Sequence, residues 1–208
     1  MSSAEPALIL KTAPAGESFV TLHALSAERG LFYCLKRVSS GKKKSATSAD
    51  LFDTAELELQ AARSGNQTLF VNQYRIQLRR TKIGTSYACL LHASNYSSLL
   101  TRNAIHMPDP RALFDQAERT FNAFDTNKSP QIVFFKGLYL LLQTEGFPVR
   151  EDWWPNLASE KRCQAHRLLR EPVHESPSPE SLDNCRILTD DLCHWLQRET
   201  DFILPWIK

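Results

Sequence analysis

The feature that most constrains the fold is a change in the spacing of apolar residues near residue 84. Before that point the chain has short runs rich in β-branched, aromatic and Leu residues, separated by turn sequences such as Pro14-Ala15-Gly16. Over residues 74–79, apolar side chains alternate with Arg and Gln, the period-two pattern of a strand with one basic face. After residue 84, apolar residues recur at helical spacing. The sequence therefore predicts a β part followed by an α part.

Five strands are predicted in the first half, at residues 7–12, 18–25, 31–37, 51–62 and 67–80. Ser64-Gly65-Asn66 is a favourable hairpin turn between the last two. Five strands in about 80 residues indicate a small barrel, and the five-stranded OB-fold is a common nucleic-acid-binding barrel of that size. An SH3-like barrel is the alternative. Residues 39–48 are polar and include three lysines, so we expect a basic surface loop there.

The second half carries helix signals. Asp109-Pro110 and Ser129-Pro130 each place a capping residue before a proline at the first helical position. One apolar helix face follows the first of these pairs, at Leu113, Phe114, Ala117, Phe121 and Phe124. We therefore predict an α+β chain with an OB-fold domain at residues 1–84 and a C-terminal helical bundle domain at residues 85–208. Within the latter, residues 150–179 are mixed, with a short helical stretch near 159–170 and a segment rich in Pro and Ser.

Composition excludes several classes of protein. The longest apolar runs are three or four residues, far short of the roughly 20 that cross a bilayer. The first residues do not resemble a secretory signal. Five cysteines without a regular framework are typical of a reducing compartment, so we expect a cytoplasmic protein.

No catalytic motif stands out, and we predict a non-enzymatic protein without a cofactor. Residues 41–45, Gly followed by three Lys and a Ser, lack the remaining positions of a phosphate-binding loop. Ser39 and Lys42 fit a Ser-x-x-Lys string but lack its companion motifs. Cys163 and His166 have the spacing of two zinc ligands, but the second close pair of a structural zinc site is missing. We therefore predict no metal site.

Charge is divided unevenly along the chain. Residues 1–84 contain 12 Lys and Arg against 7 Asp and Glu, whereas the remainder contains 13 against 16. The basic half is the candidate for contact with nucleic acid, because cations bind backbone phosphates. The predicted DNA-binding residues are Lys36, Arg37, Lys42, Lys43, Lys44, Arg75, Arg79, Arg80 and Lys82.

Several motifs, taken in order, resemble the bacterial recombination mediator family RecO. In the first half these are Leu8-Ile9-Leu10-Lys11-Thr12, Gly16-Glu17-Ser18, the stretch from Leu25 to Leu31, and Lys36-Arg37 before the serine and lysine loop. In the second half they are Pro110-Arg111-Ala112-Leu113-Phe114, the stretch from Phe135 to Leu141, and Glu145-Gly146-Phe147-Pro148. The similarity extends over nearly the whole chain.

The resemblance implies an N-terminal OB-fold, a C-terminal helical domain and a role in DNA repair by recombination. Proteins of that family bind single- and double-stranded DNA, anneal complementary strands, and act with RecR to load RecA onto DNA covered by single-strand-binding protein. The acidic tail of that binding protein, which ends in apolar residues, docks on the helical domain of the family. Phe135, Lys136 and Tyr139 are the predicted partner-binding residues, since such a tail needs an apolar slot beside a cation. A cytoplasmic protein associated with the nucleoid is expected.

The chain departs from the family at two places. Arg37 stands where the family usually has a glycine. Residues 150–179 lack the paired cysteines of the zinc-ribbon-like insertion that many members carry, so the resemblance implies no zinc here. The alternative function is a protein-only adaptor of RecO-like shape that binds single-strand-binding protein or RecR-like partners without touching DNA.

Overall fold

The computed structural model describes residues 3–38, 48–62, 68–126, 129–173 and 176–206. Its first part contains five strands, β1 (Ser3–Ala15), β2 (Phe19–Ser26), β3 (Gly30–Arg37), β4 (Thr54–Ala61) and β5 (Leu69–Leu78). All five correspond to predicted strands. The predicted turn at Ser64-Gly65-Asn66 and nearly all of the predicted basic loop lie outside the described residues.

The strands form a closed barrel in the order β1-β2-β3-β5-β4. Every neighbouring pair is antiparallel except β3 and β5, which run parallel. Strand β1 closes the barrel because its first half pairs with β4 and its second half with β2, and a bulge between Ile9 and Lys11 lets it bend. The predicted α+β class, with an OB-like barrel before the helices, is confirmed.

The barrel is filled from alternate positions of its strands, as the pleat requires. Its interior is apolar and small-residue rich, and consists of Ala7, Ile9, Leu22, Ala24, Phe32, Cys34, Ala55, Leu57 and Leu59. Val20, Leu69, Val71 and Tyr74 pack against this cluster from its rim. The remaining alternate positions therefore face outward.

The second part is helical. Its elements are a 3₁₀ turn (Thr81–Thr85), α1 (Tyr87–Asn103), a 3₁₀ turn (Ala104–His106), α2 (Pro110–Thr126), α3 (Pro130–Thr144), a π-helical turn (Val149–Trp153), α4 (Trp154–Asn156), α5 (Ser159–Arg170) and α6 (Pro179–Glu199). Helix α5 lies where the sequence predicts a short helical stretch. Asp109 caps α2 by accepting from the Ala112 amide, and Ser178 caps α6 by accepting from the Ser181 amide.

Helix α3 is the centre of the helical part. Ten of its 15 residues are buried, and it packs against α1, α5 and α6. Aromatic rings from α1 and α2 meet nearby, with Tyr96 in edge contact with Phe121 at 5.6 Å between ring centroids. A central helix of this kind is apolar nearly all round, because neighbours cover most of its surface.

Contacts divide the chain into two compact units. The first comprises Met1–Arg80 and Asp109–Asp115, and the second comprises Thr81–Pro108 and Gln116–Lys208. In the part of the chain that the structure describes, no helix combines the length and the apolar character needed to cross a bilayer.

Candidate nucleic-acid interface

The outward side of β2 and β3 carries aromatic and basic side chains. Phe19 and His23 alternate with the inward residues of β2, and Tyr33 and Arg37 alternate with those of β3. Tyr33 is 50% exposed and Arg37 is exposed, whereas Phe19 and His23 are partly buried. Of the three aromatic residues Phe19, Phe32 and Tyr33, only Phe32 belongs to the core of the barrel. We call this surface the β2–β3 face.

Cross-strand pairing organises the rings of the β2–β3 face. His23 lies opposite Tyr33, with ring centroids 4.6 Å apart in an edge-to-face arrangement. Phe19 contacts Phe70 of β5 in the same manner at 5.8 Å. Aromatic side chains that share a strand surface form a platform on which nucleic-acid bases stack.

Two cations lie in the same rows as these rings. Lys11 of β1 is the register partner of His23, and Arg37 of β3 is the register partner of Phe19. Both are exposed. Cations beside stacking rings are the arrangement that single-stranded nucleic acid requires, because phosphates lie next to the bases along the strand.

Two residues of the β2–β3 face could not be identified from the sequence. The alternation of residues 19, 21 and 23 and of 33, 35 and 37 is visible in the sequence. Lys11 and Phe70 join the face only through strand pairing, which a local pattern does not define. Toward the other end of β2, Leu25 is buried, so the exposed surface ends near His23.

Lys36 and Arg75 do not lie on the β2–β3 face. Lys36 occupies an inward position of β3, and its ammonium lies 5.5 Å from the ring centroid of Tyr74. Partial burial lowers the pKa of Lys36. Arg75 projects outward from β5, where its guanidinium lies 3.5 Å from the Glu56 carboxylate. The predicted DNA-binding cations therefore do not all lie on one face, because neighbouring residues of a strand point to opposite sides.

Arg79 is held by a buried carboxylate, although its side chain is 34% exposed. Its Nε and Nη2 donate to the two oxygens of Asp53 at 2.9 and 2.7 Å, and Asp53 is fully buried. The Tyr74 hydroxyl also donates to Asp53, at 2.9 Å, and burial followed by the negative charge of Asp53 raises the pKa of Tyr74. The charge of Arg79 is matched within the protein, so its contact with phosphate stays a prediction and its contact with Asp53 supports the barrel.

Arg80 is likewise structural. It is 4% exposed and donates to the Phe52 carbonyl at 2.5 Å and to the Thr54 hydroxyl at 3.0 Å. Phe52 has a positive φ of 65°, a conformation that non-glycine residues rarely adopt. Arg80 thus satisfies a backbone oxygen at an unusual turn, and its assignment to DNA binding is wrong.

Lys82 is the remaining predicted cation among the described residues. Lys82 is exposed in the 3₁₀ turn before α1, and its amide donates to Asp125 at 2.9 Å. Lys42, Lys43 and Lys44 lie outside the described residues.

The predicted partner site on α3 is largely interior. Phe135 is fully buried and Tyr139 is 5% exposed, because α3 is the central helix. Lys136 is partly buried and donates from Nζ to the Glu171 carbonyl at 2.6 Å. These three residues therefore do not form an exposed slot, and that prediction is corrected.

A pocket of about 400 Å³ opens beside Tyr139 in the helical unit. The rings of Tyr139 and Trp154 lie 6.2 Å apart, and Leu140 is 40% exposed. Arg150 donates from Nε and Nη2 to the Gln143 side-chain oxygen at 2.7 Å in the amide orientation that satisfies both groups. The pocket is completed by His166, Leu169 and Arg170, and none of its described lining residues is acidic. We call it the Arg150 pocket.

Four of the five cysteines are buried. All five cysteines are free, and burial raises the pKa of Cys34 and Cys193 to about 12 and that of Cys185 to about 11. Cys163 is exposed on α5, as is His166. Among the described residues, no three His, Cys, Asp or Glu side chains come together in a way that could hold a metal ion.

Comparison with known proteins does not identify a family. No protein-family model matches this chain, and no curated protein sequence matches it significantly.

Proposed function

We propose that this protein binds single-stranded nucleic acid through the β2–β3 face. The observation that carries the proposal is the exposed Tyr33 ring, packed edge-on against His23, in rows that also hold Lys11 and Arg37. Bases stack on the rings while the cations contact the adjoining phosphates. In OB-folds the surface of strands two and three is the usual site for oligonucleotides, which further supports this assignment.

The role we propose within this class is that of a DNA recombination mediator similar to RecO. Such a protein binds and anneals DNA, acts with a RecR-like partner, and helps RecA to load onto single strands covered by single-strand-binding protein. It functions in the cytoplasm at the nucleoid. The support is the ordered motif similarity together with the OB-like barrel that precedes the helical part.

Replacement of Tyr33 by Ala is expected to weaken binding of a labelled single-stranded DNA oligonucleotide by about tenfold, the loss typical of one stacked base. The matched control is Tyr87→Ala, because Tyr87 is an 81% exposed tyrosine on α1. Fluorescence anisotropy titrations at about 50 and about 200 mM salt measure both affinities.

Arg37→Ala is expected to reduce the slope of log affinity against log salt concentration by about 0.7, the contribution of one phosphate contact to a single strand.

Two results would contradict this site. Absence of binding by the unaltered protein at the lower salt concentration would reject nucleic-acid binding itself. Equal losses in Tyr33→Ala and Tyr87→Ala would move the interface away from the β2–β3 face. Alanine at Lys42, Lys43 and Lys44 together tests the loop separately, since those residues lie outside the described part of the chain.

The Arg150 pocket favours a second candidate function, that of an adaptor for an acidic peptide with apolar side chains. Its aromatic and Leu side chains suit an apolar residue, and its two arginines suit a carboxylate. The tail of single-strand-binding protein has this chemistry. The adaptor and the mediator differ only in whether the barrel also binds DNA.

An acidic peptide that ends in apolar residues is expected to lose about fivefold in affinity when Arg170 is replaced by Ala, the order of one exposed charge pair. Arg198→Ala is the control, because Arg198 is an exposed arginine of α6 that does not line the pocket. Isothermal titration calorimetry measures both. Peptide binding that is lost equally in both variants, or that is absent from the unaltered protein, would reject the pocket as the docking site.

A further inference from the structure

His23 lies toward one end of the exposed β2–β3 face, between a cation and a ring. Its register partners are Lys11 on β1 and Tyr33 on β3, so the three side chains form one row across the strands. The His23 and Tyr33 rings are in edge contact at 4.6 Å. His23 is the only histidine in residues 1–84. Titration of a histidine in this part of the sequence is therefore titration of His23.

The surroundings of His23 favour its neutral form. Its Nδ1 is buried and has no hydrogen-bond partner in the part of the chain that the structure describes. Burial lowers the pKa of His23, and the positive charge of Lys11 lowers it further. The outward neighbours of His23 on its own strand are Thr21 and Leu25, which do not titrate. Both effects favour the neutral imidazole in the free protein.

We propose that His23 makes nucleic-acid binding to the β2–β3 face depend on pH, as a ring contact when neutral and as an added phosphate contact when protonated. The inference rests on the proposed function, since it assigns a regulatory role to one residue of that face. Protonation places a second cation beside Lys11 in the row that meets the strand. A phosphate near His23 offsets their mutual repulsion, so binding and proton uptake favour each other.

Acidification has opposite effects on nucleic-acid binding and on the stability of the fold. A histidine whose pKa is lowered on folding contributes stability above its ordinary pKa, and this stability is lost as the pH falls through the lowered value. Acidification therefore strengthens nucleic-acid binding while it weakens the fold. A decline in stability alone would weaken binding, so the two effects are distinguishable by sign.

The experiment compares the unaltered protein with the variant His23→Phe, which keeps a ring against Tyr33 and removes the titration of the imidazole. The probe is a labelled oligothymidylate, whose bases do not titrate between about pH 5 and 8. Affinity for the unaltered protein is expected to rise about fivefold between about pH 7.5 and 5.5, the order of one exposed charge pair. The salt slope is expected to steepen by about 0.7 over the same interval. His23→Phe is expected to show neither change.

His92→Phe is the matched control. His92 is a partly buried histidine of α1 whose pKa is also lowered by burial, but it lies in the helical unit. This variant is expected to keep the pH dependence of the unaltered protein. A rise in affinity that persists in His23→Phe, or that is lost in His92→Phe, would overturn the inference.

A second measurement avoids the loss of folding at low pH. Calorimetry at about pH 6.5 in two buffers of different ionisation enthalpy reports protons taken up on binding. Uptake is expected for the unaltered protein and is expected to be smaller for His23→Phe. Equal uptake in the two proteins would reject the role of His23. No binding at any pH would reject the proposed function, whereas binding without pH dependence would reject only this inference.

Discussion

Replacement of Asp53 by Ala is expected to lower the free energy of unfolding by about 3 kcal/mol, because a buried ion-pair partner is removed. Asp53 is fully buried and accepts from Arg79 at 2.7 and 2.9 Å, from the Tyr74 hydroxyl at 2.9 Å and from the Asp50 amide at 3.1 Å. All of these donors lose their acceptor together. Urea unfolding followed by circular dichroism measures the change.

Glu56→Ala provides the control, three residues further along the chain on β4. Glu56 lies 3.5 Å from Arg75, in a pair whose arginine is 66% exposed and whose glutamate is 34% exposed. Pairs of this kind contribute little in water, so a loss below about 0.5 kcal/mol is expected. Similar losses for Asp53→Ala and Glu56→Ala would contradict a structural role for the Asp53 cluster.

The stability loss expected for Asp53→Ala bears on the predicted role of Arg79 in DNA binding. Because Arg79 is held by Asp53, replacement of Arg79 by Ala destabilises the barrel and lowers the amount of folded protein able to bind DNA. Arg37→Ala has no such effect on folding, since Arg37 is exposed and lies on the β2–β3 face. Comparison of stability and affinity in the two variants therefore separates a residue that supports the barrel from one that contacts nucleic acid.

Replacement of Gly137 by Ala is expected to lower the free energy of unfolding by about 2 kcal/mol, as overpacking of a helix contact does. A Cβ at Gly137 would lie 2.6 Å from Cγ2 of Thr120 and 3.4 Å from the Tyr96 ring. The methyl of Thr120 is attached directly to its Cβ and has few rotamers in a helix, so it does not move aside easily. Thermal and urea unfolding measure the loss.

Thr120→Ser gives the rescue test. Serine keeps the hydroxyl that donates to the Gln116 carbonyl at 2.9 Å and removes the methyl that clashes. Alone it is expected to lower stability by about 1 kcal/mol through loss of a buried methyl. In the Gly137→Ala background it is expected to restore stability instead. If the two losses simply add, contact with Thr120 is not the reason for glycine at residue 137.

The local patterns of the sequence were sufficient for the architecture. Short runs rich in β-branched, aromatic and Leu residues, divided by turn sequences, placed all five strands. In the last strand the period-two alternation also indicated one apolar and one basic face. Proline after a capping residue placed the starts of α2 and α3, because proline lacks the amide hydrogen that the first helical turn leaves unpaired. These signals act within a few residues, so a sequence alone contains them.

The candidate site could be predicted only in part. Arg37 and the basic character of the first half were found, whereas Lys36, Arg75, Arg79 and Arg80 were grouped with Arg37 by charge alone. A charge count does not distinguish an arginine that contacts solvent from one that satisfies Asp53 or the Phe52 carbonyl. Those acceptors lie more than 25 residues away in the sequence.

The sequence by itself determined the order of the strands and helices and the concentration of cations in the barrel half. It also indicated that the last strand has one apolar and one basic face. The tertiary structure decided which side chains share a surface. It brought Lys11, His23 and Tyr33 into one row through strand register, and it enclosed Phe135 and Tyr139 by making α3 the central helix. Register and helix packing depend on contacts between distant segments, so no local pattern of residues specifies them.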